Sequence, residues 1–102
     1  MRDERHSGLT MVETRLGWIG LAWSSRGLTN LQLPADTREE TLRRLRSRAD
    51  GPEAPDLPDF VASAVELIRR FTAGEPVDFA AVVIDVDHVG QFRQTIYAAA
   101  RR

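Results

Sequence analysis

The chain contains no cysteine. Within these 102 residues that excludes disulfides, thiolate metal ligands and a cysteine nucleophile. Lysine is also missing, so all 14 basic residues are arginine; this by itself points to no function. Charge of one sign is not in excess. The net charge of −1 argues against a chain-wide electrostatic grip on nucleic acid. Long apolar runs are missing too, and none approaches the roughly 20 residues needed to cross a bilayer. The start, Met1-Arg-Asp-Glu-Arg-His-Ser-Gly8, has no apolar stretch and does not read as a signal peptide. These features lead to the expectation of a cytoplasmic protein with no membrane association. What is present suits one small globular domain: 42% hydrophobic and 28% charged residues, too apolar for a disordered chain.

Residues 1–8 are polar and patternless, and read as a mobile leader. Leu9–Thr14, Trp18–Ser24 and Leu28–Leu33 are short runs rich in apolar and β-branched residues, separated by the tight turns Arg15-Leu16-Gly17 and Ser25-Arg26-Gly27. Three such runs predict an antiparallel meander, ended by Pro34. Thr37 with Glu40 has capping-box spacing, so a helix is expected to about Ala49 with Leu42 and Leu45 inward. Gly51, Pro52, Pro55 and Pro58 make a loop. A second helix starts near Pro58, with Phe60, Val61, Ala64, Val65, Ile68 and Phe71 as its buried stripe and Gly74 as its stop. Phe79–Val86 reads as a fourth extended segment or a crossover. The last helix, Gly90–Arg102, shows Phe92, Ile96, Tyr97 and Ala100 at helical spacing. The expected class is α/β (α+β): a three-stranded antiparallel meander, then two helices, then a C-terminal orphan helix.

Several stretches are similar to one family. Phe92-Arg93-Gln94-x-Ile96-Tyr97 resembles the first helix of the catalytic domain in methylated-DNA–protein-cysteine methyltransferases, the O(6)-alkylguanine-DNA alkyltransferases. Thr14-x-Leu16-Gly17-Trp18-Ile19-Gly20-Leu21, then Gly27-Leu28-Thr29-x-Leu31, then Phe71-x-x-Gly74-x-x-x-x-Phe79 resemble that family's N-terminal domain. The resemblance spans roughly residues 9–102. It implies a ribonuclease-H-like α/β domain over 9–89, and a first helix of a truncated catalytic domain over 90–102. It further implies a place in DNA alkylation repair, in which an intact member flips the damaged guanine out of the duplex. The family's Ile-Pro-x-Gly segment, helix-turn-helix and Pro-Cys-His-Arg motif have no counterpart here. A truncated or split member is therefore expected, inactive alone and with no catalytic residue. Zinc, which some members hold in this half on cysteines and histidines, is not expected, because only His6 and His88 are available.

Other candidates weigh as follows. Asp85-x-Asp87-His88 suits a divalent metal, and a metal-dependent nuclease is one reading of it. The other is that both carboxylates satisfy turn backbone and cap the last helix. The second is favoured because no further acidic cluster stands at strand spacing. The arginines at 43, 44, 46 and 48 could track phosphates, but Glu39, Glu40 and Asp50 beside them read as a balanced solvated face. Trp18 and Trp23, five apart on one strand, are expected on opposite faces. Tyr97 reads as packing rather than as a catalytic acid. The expected interface is Phe92, Ile96, Tyr97 and Ala100. Its partner is the catalytic half of an alkyltransferase or a second copy of the chain, with DNA engaged only indirectly and no cofactor or metal. A stand-alone interaction module using the last helix is the alternative. Stripped of a partner, that helix is expected to fray, to fold back on its own sheet or to dimerise.

Overall fold

The computed structural model describes residues 7–101. The leader expected over 1–8 falls, apart from Ser7 and Gly8, outside the described residues, and Gly8 already belongs to a strand. Strands β1 (Gly8–Thr14), β2 (Gly17–Ser24) and β3 (Gly27–Gln32) form an antiparallel sheet in the order β1-β2-β3. Val12 pairs with Ile19 and Leu21 with Leu31, and a bulge at Ala22/Trp23 shifts the register near the second turn. Both turns depend on glycine in the left-handed region, Gly17 at φ +120° and Gly27 at φ +139°.

Helix α1 (Arg38–Arg46) covers one face of the sheet. Its N-cap Thr37 accepts from the Glu40 N–H at 3.0 Å, which is half of the expected capping box. The other half does not form, because the Glu40 carboxylate is held by Arg43 and Arg44. Leu45 is fully buried against Leu9 and Ala22, and Leu42 packs at the edge of that cluster. Gly20 leaves room for Leu45, whose Cδ2 would lie 2.9 Å from any Cβ there. The helix ends three residues earlier than expected: Ser47 Oγ donates to the Arg44 carbonyl at 2.7 Å, and its backbone N–H bonds back to Arg43 and Arg44 as the chain turns.

The larger core lies on the opposite face. Helix α2 (Asp59–Thr72) places Val61, Ala64, Val65 and Ile68 against Val12, Ile19, Leu21 and Leu28. Phe60 packs at the margin of this cluster, and Phe71 is half-buried. Helix α3 (Val89–Ala100) lies over β3 and adds Phe92 to the same cluster. It is folded back on its own sheet, one of the three fates expected for it. Trp23 is buried in this core, while Trp18 is half-buried on the other face, with the Arg38 guanidinium 5.2 Å above its ring.

Of the two expectations for Phe79–Val86, an extended segment or a crossover, the irregular crossover is the one that forms. Asp78 caps a 3-10 turn over Phe79–Ala81, with Oδ1 accepting from the Ala80 N–H at 2.8 Å. A second 3-10 turn spans Val86–His88. Between them a single residue, Ile84, makes a parallel bridge to Leu28 at the β3 edge. On the other edge Glu53 makes a parallel bridge to Leu9 of β1. Both flanking chains are tied by backbone bonds: Leu9 N–H to Pro52 O and Leu28 N–H to Val83 O, each 2.9 Å. No helix among the described residues is long and apolar enough to cross a membrane.

Candidate functional site

Two places gather the residues singled out in the sequence. The first is a groove along α3. The residues expected to form one interface do not share one face. Phe92 is 2% exposed within the chain's own core, and Ile96 packs beside it. Tyr97 is 59% exposed, and Ala100 faces a separate hollow with Leu16 and Phe71. The inward stripe runs Phe92, Ile96, Ala99 instead. The physical reason is helical geometry: 92, 96 and 99 lie almost in line at about 100° per residue, whereas 97 and 100 turn away from that line.

Tyr97 and Ile96 thereby open onto a groove of about 240 Å³ whose other wall is Phe79, Ala80 and Ile84. Arg93 and Asp78 stand at its rim. The wall is fixed from behind, since the Phe79 ring meets Phe71 edge-on, with centroids 5.2 Å apart and planes at 81°. This arrangement can take an apolar side chain flanked by charge. Sequence reading assigned Phe79 and Ile84 to no site, because a run read as extended does not show which of its side chains meet α3.

The second place is the Asp85 cluster. Asp85 is 6% exposed, and its carboxylate is fully engaged. Oδ2 accepts from Ser24 Oγ at 2.9 Å; Oδ1 accepts from the Arg26 guanidinium at 2.9 Å and from the Asp87 N–H at 3.1 Å. Asp87 takes a second bond from Arg26, also 2.9 Å. Asp85 thus caps the 3-10 turn that leads into α3 rather than α3 itself, and ties it to the β2–β3 turn. Among the described residues no three His, Cys, Asp or Glu side chains converge as a metal site. The cluster is a structural clamp, and neither Ser24 nor Arg26 gave any signal of it in the sequence.

The Asp87 N–H bond, with Ser24, Arg26 and His88 adding to it against the desolvation of burial, holds the Asp85 carboxyl below its usual range. Arg43 and Arg44 bring Glu40 down to about 2 from 4.5. Both carboxyls bind protons less readily in the folded chain than in the unfolded one, so their contributions are complete above the ordinary carboxylate range. They are lost as pH falls through the depressed values. Stability is therefore expected to drop between about pH 4.5 and pH 2. In Asp85→Ala the clamp is gone already at pH 7, and the acid limb should be shallower; urea midpoints measured across that window check this.

No family model matches the chain, and neither a curated protein nor a solved structure is significantly similar to it.

Proposed function

We propose that this chain is a scaffold: the N-terminal, non-catalytic part of a methylated-DNA–protein-cysteine methyltransferase, serving alkylation repair by supporting a catalytic half through the α3 groove. The observation that carries the reading is the meeting of motif residues across the chain. Phe71 and Phe79, separated by the Gly74 turn at φ +91°, stack edge-to-face and form the back of the groove onto which Ile96 and Tyr97 open. We further propose that the sheet is ribonuclease-H-like. It is supported by the path of the chain, which leaves β3 through α1 and returns parallel to β1 at Glu53.

The test is a calorimetric titration of the chain with a separately folded alkyltransferase catalytic domain bearing the Pro-Cys-His-Arg motif. Binding is expected, and Tyr97→Asp should weaken it about tenfold, or ~1.4 kcal/mol, without altering the fold. Lack of binding by the wild-type chain would sink the proposal. A second reading, self-association through the same helix and the turn before it, is favoured by the exposure of Tyr97 at 59% and Val86 at 73%. Sedimentation velocity separates the two: a concentration-dependent dimer that Tyr97→Asp dissolves supports self-association.

A further inference from the structure

A hollow of about 410 Å³ lies at the end of the sheet, between the end of β2, the start of β3 and the loop after α1. It is far from the α3 groove in its lining, sharing no residue with it. Its size falls in the roughly 300–1,000 Å³ range of small-molecule sites. Three features suggest a recognition site rather than a packing gap.

Asn30 lines the hollow with only 5% of its surface exposed, and among the described residues its carboxamide has no hydrogen-bond partner. A polar group buried in that state costs free energy that a bound polar ligand would recover. Arg48, on the same wall, has one guanidinium nitrogen anchored to Gln32 Oε1 at 2.7 Å and to the Leu31 carbonyl at 3.4 Å. Among the described residues it takes part in no ion pair, so its pre-positioned cationic fork is held there by neutral acceptors alone. Trp23, 3% exposed, supplies an apolar wall. The loop that closes the hollow is seated by Gly51, which packs on Gly8 at φ +122°, where an added Cβ would lie 3.0 Å from Gly8 Cα.

We propose that this hollow binds a small molecule bearing an oxyanion, carboxylate or phosphoryl, held between Arg48 and Asn30 with its apolar part against Trp23. His88 and Asp50 complete the rim. Asp50 opposes the bound charge, so recognition comes from the Arg48–Asn30 fork and not from a cationic field.

The test uses the full chain with sodium benzoate and sodium phosphate as probes, at ionic strength fixed with sodium chloride. Proton–nitrogen correlation spectra follow the Asn30 side-chain amide and the Trp23 indole N–H. Saturable shifts of both signals are expected with at least one probe. Benzoate alone identifies a carboxylate ligand, phosphate alone a phosphoryl ligand, and response to both the shared oxyanion chemistry. Arg48→Ala should weaken binding about tenfold or more. Arg48→Gln provides a second variant should the first fold poorly. Asp50→Asn should tighten binding, and Arg46→Ala, which removes an exposed arginine outside the hollow, should leave it unchanged. Absence of a saturable shift with either probe, or equal affinity in the Arg48 variants, would mean a water-filled hollow only and would overturn the proposal.

Discussion

Phe92→Ala is expected to lose about 3–5 kcal/mol of stability, the usual range for removing a fully buried aromatic side chain. Phe92 leads the largest fully buried side chains of the chain, and it joins α3 to the cluster built from β2, β3 and α2. A domain of this size is stable by roughly 5–15 kcal/mol in total, so this one substitution removes from about a fifth of that to all of it. The effect is local before it is global. Alanine at 92 leaves α3 with Ile96 and Ala99 as its inward contacts, too little to hold a helix of 12 residues that is marginal by itself. Hydrogen exchange of α3 amides should rise ahead of global unfolding. Tyr97→Ala, on the exposed side of the same helix, should change stability by no more than about 0.5 kcal/mol. Urea unfolding of both variants checks the pair. A small loss in Phe92→Ala would mean that α3 is not part of the core.

Gly27→Ala should be the most damaging small substitution outside the core. Two independent effects act there. The backbone sits at φ +139°, which a residue with a Cβ rarely adopts, and forcing it costs about 1–3 kcal/mol. The added Cβ would also lie 2.7 Å from Asp85 N, 2.9 Å from Ile84 C and 2.9 Å from Val83 O. These are backbone atoms, so the 83–85 segment must move away from β3. Movement breaks the bonds from Leu28 N–H to Val83 O and from Asp85 N–H to Leu28 O, each worth about 0.5–1.5 kcal/mol. Together these give a loss of roughly 2–6 kcal/mol. Gly74→Ala is the control: its φ of +91° is also positive, but nothing lies within 4 Å of an added Cβ. It should show the conformational cost alone. The difference between the two variants, read from their urea midpoints, isolates the collision with the linker.

The parts of the fold that were legible in the sequence are those governed by local periodicity and turn chemistry. The three strands were placed within a residue or so at their ends, because Gly17 and Gly27 mark turns that demand positive φ. The stripe of α2 was legible because four of its residues repeat at helical spacing and are buried. The opposite facing of Trp18 and Trp23 followed from strand alternation alone. Beyond that range the signal fails for identifiable reasons. The β-branched run at 82–86 suggests a strand, but Asp78 and Asp85 each close a 3-10 turn with their side chains, and these local bonds outcompete strand pairing except at Ile84. On α3 the neighbours of Phe92 were ambiguous, since Tyr97 and Ala100 are as apolar as Ala99 and only the packed sheet decides which side turns in. The Asp85 clamp joins residues 59 and 61 positions apart, and no local pattern encodes such a meeting. Asn30 carries no sequence signal of its burial, because the loop after α1 that shares its hollow lies about 20 residues along the chain.

Chemical-shift mapping tests the α3 groove as a docking surface most directly. The nitrogen-labelled chain would be titrated with an unlabelled alkyltransferase catalytic domain. The expected result is saturable perturbation concentrated on the amides of residues 78–84 and 93–97, with the α1 face and the sheet-end hollow unmoved. Perturbations confined to other surfaces, or spectra unchanged at excess partner, would contradict it.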